Sequence, residues 1–273
     1  MSKIVSHLIV IGVGLLGSSV GLAAKKRGLA DTVIGIDRCR KTLDIAQQRE
    51  AVDVAATELD VLSEINDSLA IICTPVRSIV GVIEQITTIN EKLLISDVGS
   101  TKANICRELE RRNFRFVGAH PIAGSEKSGP QFGNADLFQN CLTVLTPTDS
   151  NRLEDVEFLQ RFWEALGSRV RKLAPEQHDA ILAKTSHLPH AVAAALASLL
   201  TEPEQPFCGT GFVDTTRIAS GPAAVWTDIF LENRLQLLAF LEVLGDRLET
   251  LKTALQDSDA AAITRFLESA QKH

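Results

Sequence analysis

An apolar run near the start of the chain passes directly into a glycine-rich turn, and this junction limits the fold more than any other feature. Residues 8–11 read L-I-V-I, residues 12–17 read G-V-G-L-L-G, and a stretch with helical spacing follows. In such a unit Gly12 permits a tight turn, Gly14 lets the backbone approach a pyrophosphate, and Gly17 lets the helix pack closely on the strand. The sequence therefore predicts a strand, a turn and a helix at the start of a Rossmann-type sheet.

Strand-like and helical segments alternate up to about residue 172. We predict strands over residues 7–11, 32–37, 70–74, 93–97, 115–118, 142–145 and 169–173. We predict helices over residues 16–27, 41–49, 77–86, 102–111 and 153–166. This alternation is typical of βαβ units, and nearly continuous apolar strands are typical of a mostly parallel sheet with helices on both faces. Residues 1–172 are therefore predicted to form an α/β dinucleotide-binding domain of the Rossmann type.

Beyond Pro175 the strand-like runs disappear, and residues 173–273 are predicted to form an all-helical substrate and dimerisation domain. We predict helices over roughly 176–200, 223–256 and 259–271, with S-G-P at 220–222 as the start signal of the longest one. A leucine seam with spacings of four and three residues runs along this helix: Leu237, Leu241, Leu244, Leu248, Leu251 and Leu255. The seam is either a buried face within one subunit or, as we favour, a contact with a second subunit, which predicts a homodimer.

An acidic residue ends the second predicted strand. Asp37 stands about 20 residues after Gly17, where a carboxylate binds the 2′-hydroxyl of a cofactor ribose. A carboxylate repels a 2′-phosphate, which predicts NAD, whereas Arg38 partly offsets that repulsion and leaves NADP open. The predicted cofactor site consists of Gly12, Gly14, Leu15, Leu16, Gly17, Asp37, Arg38 and Thr74.

The charge balance and the cysteines argue against other classes of protein. The chain has 28 basic and 34 acidic residues and a formal net charge of −6, which disfavours nucleic acid as a partner. Its five cysteines form no C-x-x-C pair, which fits a reducing compartment, and we expect a cytoplasmic protein. Its apolar segments are shorter than the ~20 residues that span a bilayer. The N-terminal apolar run imitates a secretory signal, but its glycines favour the phosphate-binding turn.

Polar groups gather at two predicted strand ends, where ligands bind in parallel sheets. Ser100 follows strand 93–97 within D-V-G-S-T-K, and it is predicted either to face the cofactor cleft or to cap the next helix. His120 is expected just beyond strand 115–118, at the start of a polar loop too long for a simple connector. Its imidazole suits a general base at neutral pH, although a surface histidine would have the same pattern.

The helical part contributes the motif S-H-L-P-H. His187 and His190 lie three residues apart, so they share one helix face, and Pro189 predicts a kink. The pair has neither the H-E-x-x-H spacing nor a third ligand, so we assign no metal, and buried core histidines are the alternative. Arg217 in the connector is either a clamp for a carboxylate or a side chain that pairs with Asp214 or with solvent.

In this order the motifs resemble those of the prephenate/arogenate (cyclohexadienyl) dehydrogenase family of tyrosine biosynthesis. The likeness covers essentially the whole chain, from the glycine turn through D-V-G-S-T-K, G-A-H-P-I-A-G-S-E-K-S-G, S-H-L-P-H and F-V-D-T-T-R-I-A-S-G-P to Trp226. The resemblance implies a Rossmann domain followed by a helical domain that dimerises. Many relatives also carry a chorismate mutase or an ACT domain, and we expect neither here.

The resemblance also implies an activity and a role for each matched residue. The activity is NAD(P)-dependent oxidative decarboxylation of prephenate to 4-hydroxyphenylpyruvate, of L-arogenate to L-tyrosine, or of both. His120 matches the base that takes the C4 hydroxyl proton while hydride leaves C4 for the nicotinamide, and Ser100 matches the serine that orients it. Arg217 matches the residue that binds the ring carboxylate. The other matched substrate residues are His187, His190, Ser186, Glu126 and Asp214.

Two other functions remain open. A β-hydroxyacid dehydrogenase also joins a Rossmann domain to helices and needs a catalytic lysine, for which Lys184 is the candidate near the histidines. A non-catalytic NAD-sensing protein would keep the fold without turnover. The residues also leave open the choice between prephenate and arogenate. These substrates differ only in the side chain, which has a keto group in prephenate and an ammonium group in arogenate.

Overall fold

The computed structural model describes residues 3–112, 114–124 and 127–271. Its N-terminal part is an eight-stranded sheet in the order β3-β2-β1-β4-β5-β6-β7-β8. The strands are β1 Val5–Ile11, β2 Ala30–Ile36, β3 Val54–Ala56, β4 Ser68–Ile72, β5 Leu94–Asp97, β6 Phe116–Ile122, β7 Leu142–Thr146 and β8 Arg169–Lys172. Strands β6 and β7 pair antiparallel, and the other neighbours pair parallel. The prediction of a mostly parallel α/β sheet is therefore confirmed.

Helices cover both faces of the sheet because its central strands are apolar on both sides. The helices are α1 Leu15–Arg27, α2 Arg40–Gln48, α3 Ile79–Ile89, α4 Ala103–Glu110 and α5 Leu153–Ala165. In β1, Leu8 and Val10 belong to one buried apolar cluster, and Ile9 and Ile11 belong to the other. Successive side chains of a strand point to opposite faces, so one continuous apolar run contributes to two cores.

The strand order switches direction at β1 and β4. In the parallel register Ile11 of β1 lies beside Ile36 of β2 and Ile72 of β4. The chain leaves these three strands at Gly12, Asp37 and Cys73, so their following loops meet at one edge of the sheet. A switch of this kind leaves a crevice at the carboxyl ends of the strands, where ligands bind in doubly wound folds.

The sheet differs from the sequence prediction in two places. Strand β3 was not predicted, because its three residues at the sheet edge are too few to form a periodic pattern. Strand β6 continues through His120, since residues 118–122 pair with β7. The expectation that His120 lies just beyond a strand was therefore wrong, because it lies within β6, opposite Val144.

From Pro175 onward the described chain is helical, as predicted. The helices are α6 Pro175–Leu182, α7 Leu188–Ser198, α8 Thr210–Thr216, α9 Ala223–Glu232, α10 Arg234–Gln256 and α11 Ala260–Ala270. A π-helical turn, Ala183–His187, joins α6 to α7. This widened turn lies directly before Pro189, where a kink was predicted, because proline cannot supply the N–H of a regular helix.

The predicted helix over 223–256 is two helices that meet at Asn233. Its start at Ala223 agrees with the prediction, although Pro222 is the N-cap residue of α9 and no side chain caps this helix. The hydroxyl of Ser220 instead donates to the carbonyl oxygen of Arg217 at 2.8 Å. The S-G-P segment therefore precedes the helix, as predicted, but its serine does not cap it.

Much of the leucine seam lies on the surface of a single chain. Leu237 is 5% exposed, whereas Leu241, Leu248 and Leu255 are 38%, 55% and 58% exposed. An apolar row on a surface helix is typical of a protein–protein contact. None of the helices in the described part of the chain is both long enough and apolar enough to cross a membrane.

Candidate active site

A cleft of about 890 Å³ opens at the carboxyl ends of β1, β2 and β4. Five of the residues predicted to bind the cofactor line it: Gly12, Gly14, Asp37, Arg38 and Thr74. The remaining three lie at the start of α1, directly behind this wall: Leu15, Leu16 and Gly17. The cleft therefore lies at the switch in strand order, where doubly wound sheets bind dinucleotides.

Close backbone contacts require glycine at two positions of the turn. Gly12 has a φ of +88°, and a Cβ there would lie 2.8 Å from the carbonyl oxygen of Cys73. A Cβ on Gly17 would lie 2.1 Å from the carbonyl oxygen of Gly12, so a larger residue would push α1 away from β1. A Cβ on Gly14 would meet nothing within 4 Å, which leaves that part of the backbone open for a phosphate.

Two backbone N–H groups hold the carboxylate of Asp37 in a fixed orientation. Its Oδ2 accepts a hydrogen bond from Val13 N at 3.0 Å, and its Oδ1 accepts one from Cys39 N at 2.9 Å. Arg38, next in the chain, is exposed on the rim of the cleft. In the same cleft the hydroxyl oxygen of Thr74 is buried and has no hydrogen-bond partner among the described residues. A buried polar atom without a partner in a cleft wall suits contact with a ligand.

The turn that follows β5 is built on an ion pair between Asp97 and Lys102, whose side chains are both fully buried. Asp97 also accepts hydrogen bonds from Gly99 N at 2.8 Å and from Ala119 N at 3.1 Å. The second of these bonds ties the turn to the residue that precedes His120. Ser100 lies in this turn, half-buried.

Ser100 does not cap the helix that follows the turn. Helix α4 has Lys102 as its N-cap residue, with no side-chain cap of its own. Its first N–H groups are bound by the carboxylate of Asp179 in α6, which accepts from Lys102 N at 2.8 Å and from Ala103 N at 2.9 Å. The interpretation of Ser100 as a helix cap was therefore wrong, and its hydroxyl remains available to a ligand.

His120 makes a hydrogen bond to a second histidine, which the sequence reasoning missed. Its Nδ1 lies 2.9 Å from Nε2 of His178, and Nδ1 of His178 lies 2.7 Å from Oδ1 of Asp179. His120 belongs to the sheet, whereas the other two residues belong to α6. The contact therefore joins the two parts of the chain beside the turn of Ser100.

Burial lowers the pKa of His120 well below its ordinary value of 6.5, with further lowering by His178 and by the positive charge of Lys102. The imidazole is therefore neutral at pH 7. Its Nε2 has no hydrogen-bond partner among the residues that the structure describes. A neutral imidazole with one free ring nitrogen is able to act as a general base.

His187 and His190 both pack against the indole of Trp226. His190 stacks on Trp226 with ring centroids 3.5 Å apart, and His187 meets Trp226 edge to face at 6.4 Å. Burial lowers the pKa of both rings, that of His187 to about 4. In the part of the chain that the structure describes, Nε2 of His187 and Nδ1 of His190 are buried and have no hydrogen-bond partner. Within the described ranges no three His, Cys, Asp or Glu side chains converge to hold a metal ion.

The protonation of His187 follows from its neighbour Asn233. The amide nitrogen of Asn233 donates to the backbone oxygen of Asp179 at 2.8 Å and also lies 3.1 Å from Nδ1 of His187. Because the carbonyl can only accept, the amide must present its nitrogen on this side, and Nδ1 of His187 is therefore an acceptor. The proton of the neutral ring lies on Nε2, which makes this atom a donor toward a ligand.

The remaining predicted substrate residues lie around these histidines or outside the described residues. Arg217 and Asp214 are both exposed, and no ion pair joins them in the part of the chain that the structure describes. The Arg217–Ser220 segment packs against α7, which carries His190. Ser186 is half-buried in the π-helical turn. Glu126 lies outside the described residues, and the convergence of Arg217 with His120 stays a prediction.

Sequence reasoning missed His178, Asp179 and Asn233. A His-Asp pair in the first half of a helix has the pattern of a surface segment, yet His178 is fully buried and Asp179 is 3% exposed. Their burial depends on the packing of α6 against α4. A contact of this kind between distant segments leaves no signal in spacing or composition.

Family models match almost all of the chain. Residues 20–172 match the model described as prephenate dehydrogenase, nucleotide-binding domain. Residues 174–269 match the model described as prephenate dehydrogenase, dimerization domain.

Individual relatives agree with these matches. The chain is 31% identical to a prephenate dehydrogenase of Bacillus subtilis, over 100% of this chain and 76% of the relative. It is also 31% identical to a cyclohexadienyl dehydrogenase of Zymomonas mobilis, over 97% of this chain and 94% of the relative. A crystal structure of prephenate dehydrogenase from A. aeolicus, in complex with hydroxyphenyl propionate and NAD⁺, is similar with a TM-score of 0.92 and 29% identity, covering 99% of this chain and 97% of that one.

Proposed function

The chain belongs to the prephenate dehydrogenase family, and we propose that it oxidises prephenate, L-arogenate or both at ring C4, with NAD as the acceptor and release of CO₂. The observation that carries this proposal is the neutral, buried His120, whose Nε2 has no partner among the described residues and whose preceding residue is hydrogen-bonded to the turn of Ser100. Oxidation of a secondary alcohol requires a base for the hydroxyl proton, and this atom supplies one.

The cleft has the features that a bound dinucleotide needs. The open backbone at Gly14 and the N–H groups of α1 suit the pyrophosphate, and the unpartnered hydroxyl of Thr74 suits a polar group of the cofactor. Bound NAD supplies the acceptor for hydride. The fixed carboxylate of Asp37 favours NAD over NADP, because it accepts from a 2′-hydroxyl and repels a 2′-phosphate, while Arg38 is exposed on the rim.

The proton of the substrate hydroxyl passes to Nε2 of His120 as hydride leaves C4. We infer that Ser100 donates to or accepts from the same hydroxyl and so orients it, since its own hydroxyl is not used as a helix cap. Loss of the ring carboxylate as CO₂ then makes the ring aromatic, which supplies the driving force. The chain therefore needs to position one proton acceptor and one ring, and it needs no metal for this step.

The substrate carries two carboxylates, and we assign their binding to the helical part of the chain. Arg217 is proposed to bind the ring carboxylate through its planar guanidinium. The Nε2–H of His187 is a buried donor without a partner, so it is suited to the side-chain carboxylate. We propose that His190 and Ser186 line the same pocket and that Asp214 and Glu126 order its entrance.

We propose that residues 1–172 bind the cofactor and that residues 173–273 bind the substrate and a second subunit. The exposed leucine seam and the match to a dimerization domain support a homodimer. We further propose a cytoplasmic location, since all five cysteines are unpaired.

The proposal is tested by incubating the purified chain with each substrate and each nicotinamide cofactor while absorbance at 340 nm is followed. We expect NADH, CO₂ and 4-hydroxyphenylpyruvate in equal amounts from prephenate, and NADH, CO₂ and L-tyrosine from arogenate if that substrate is used. His120→Asn should lower kcat by roughly 10²–10⁴-fold with unchanged NADH affinity. Failure of all four combinations of substrate and cofactor to reduce the cofactor would refute the proposal.

The alternative of a β-hydroxyacid dehydrogenase needs a catalytic lysine in the helical part. The candidate, Lys184, is exposed, which gives this alternative no support.

A further inference from the structure

We propose that the His178–Asp179 pair is a positioning dyad that holds His120 in the one neutral tautomer able to act as a base. This inference rests on the proposed role of His120 and extends it to residues that do not touch the substrate. The dyad belongs to α6, and the ring that it controls belongs to β6. The active tautomer would therefore be fixed only when the helical part is packed against the sheet.

The dyad and its target are buried together. His178 is fully buried, Asp179 is 3% exposed and His120 is 9% exposed. The two imidazoles meet edge to face with centroids 5.1 Å apart, and their facing nitrogens are 2.9 Å apart. At 2.9 Å the two nitrogens are in direct hydrogen-bond contact, so one of them carries the proton that they share.

The direction of each hydrogen bond follows from groups whose roles are fixed. Backbone N–H groups only donate, so both carboxylate oxygens of Asp179 are acceptors toward Lys102 N and Ala103 N. The N-terminus of α4 also favours a negative charge at this position. The carboxylate is therefore ionised, and the nearby Nδ1 of His178, 2.7 Å from Oδ1, must carry a proton.

The same reasoning extends to His120. With its proton on Nδ1 and a lone pair on Nε2, His178 accepts a hydrogen bond from Nδ1 of His120. The proton of neutral His120 is then on Nδ1, and Nε2 carries the lone pair. Without the dyad the proton would be free to move to Nε2, where it would block the transfer from substrate.

The dyad also stabilises the product of proton transfer. When Nε2 of His120 accepts the hydroxyl proton, the ring becomes a cation in a buried site, which is costly without a partner. Its Nδ1–H remains bound to His178, whose own Nδ1–H is bound to the Asp179 carboxylate. One carboxylate therefore balances the new charge through an intervening ring, as an aspartate does for the histidine of a serine protease.

Three substitutions separate this role from a purely structural one. His178→Phe keeps a ring of similar volume and removes the acceptor. His178→Gln keeps an amide oxygen that is able to accept from Nδ1 of His120. Asn104→Ala is the matched control, because Nδ2 of Asn104 donates to Glu232 Oε2 at 3.0 Å, a second contact between α4 and the helical part that does not involve His120.

We expect His178→Phe to lower kcat by roughly 10²–10⁴-fold, while KM and the affinity for NADH change by less than about 3-fold. His178→Gln should recover at least about tenfold of that loss, and Asn104→Ala should keep parental kcat. The proposal is overturned if His178→Phe keeps kcat within about 3-fold, if His178→Gln is no better than His178→Phe, or if Asn104→Ala loses as much kcat as His178→Phe.

A second measurement uses the unmodified chain and does not depend on turnover or on a folded variant. ¹⁵N NMR of the histidine-labelled protein distinguishes the two tautomers of each of the six histidines, and His120→Asn identifies the signal of His120. We expect the proton of His120 on Nδ1 at pH 7. A proton on Nε2 would overturn the inference even if the enzyme is active, whereas the expected tautomer with no turnover would leave the dyad intact and refute the proposed function.

Discussion

Lys102→Met should destabilise the protein by about 3–5 kcal/mol, because it leaves the charge of Asp97 buried without its counter-ion. Both side chains are fully buried, so no water is available to replace the ammonium. Asp97 keeps the two N–H donors of Gly99 and Ala119, at 2.8 Å and 3.1 Å, which places the expected cost near the lower end of this range. Methionine fills a similar volume, so a cavity contributes little.

The measurement is urea unfolding of the parent, Lys102→Met, Asp97→Asn and the double variant at one protein concentration, since dimerisation would make stability depend on concentration. We expect each single variant to lose several kcal/mol and the double variant to lose much less than their sum, with a coupling of about 2 kcal/mol or more. Additive losses, or a loss below about 1 kcal/mol in Lys102→Met, would refute the reasoning that the two charges depend on each other.

The pH profile, the cofactor preference, the KM for substrate and the oligomeric state should each respond to one residue. Because the pKa of His120 lies below 6.5, kcat/KM should stay level from pH 6.5 to 8 and fall only at lower pH, as the ring becomes protonated; a fall centred above pH 7 would contradict this. Asp37→Ser should reduce the preference for NAD over NADP by roughly tenfold, and an unchanged ratio of kcat/KM would remove Asp37 from its role. Arg217→Ala should raise KM by about 10–100-fold and Arg217→Lys by less, whereas a normal KM in both would make the arginine structural. Leu248→Asp should give monomers in sedimentation experiments. Leu153→Asp, the control, changes a leucine of α5 that is 69% exposed and should leave the dimer intact. Dimers in both variants would exclude the seam as the interface.

Local patterns were sufficient to predict most of the sheet and the edge at which the glycine turn and Asp37 meet. The apolar run before Gly12 predicts a strand that ends in a turn. The φ of +88° at Gly12 and the close approach of Gly17 to the carbonyl oxygen of Gly12 involve residues that are near one another in the sequence, so a local pattern reveals them. The position of Asp37 depends only on the length of one strand–helix–strand unit. Pro189 likewise predicted a local distortion of the helix, and the structure has a π-helical turn at this place.

Features that depend on contacts between distant segments were missed. The extension of β6 through His120 depends on antiparallel pairing with β7, which the local sequence does not encode. The break at Asn233 interrupts a stretch with continuous helical periodicity, since the amide of Asn233 is bound to Asp179 and His187. Ser100 does not cap α4, which was one of its two predicted roles, because the carboxylate of Asp179 in α6 binds the first N–H groups of that helix instead. Pairings of this kind require the assembled fold.

A crystal structure of the dead-end complex with NADH and prephenate would show how the reacting groups are arranged, because the reduced cofactor prevents turnover. We expect the C4 hydroxyl within hydrogen-bond distance of Nε2 of His120, the ring carboxylate on the Arg217 guanidinium, and C4 facing the nicotinamide. A ring bound away from His120, or with its carboxylate turned away from Arg217 in both the subunit and its dimer, would contradict this expectation.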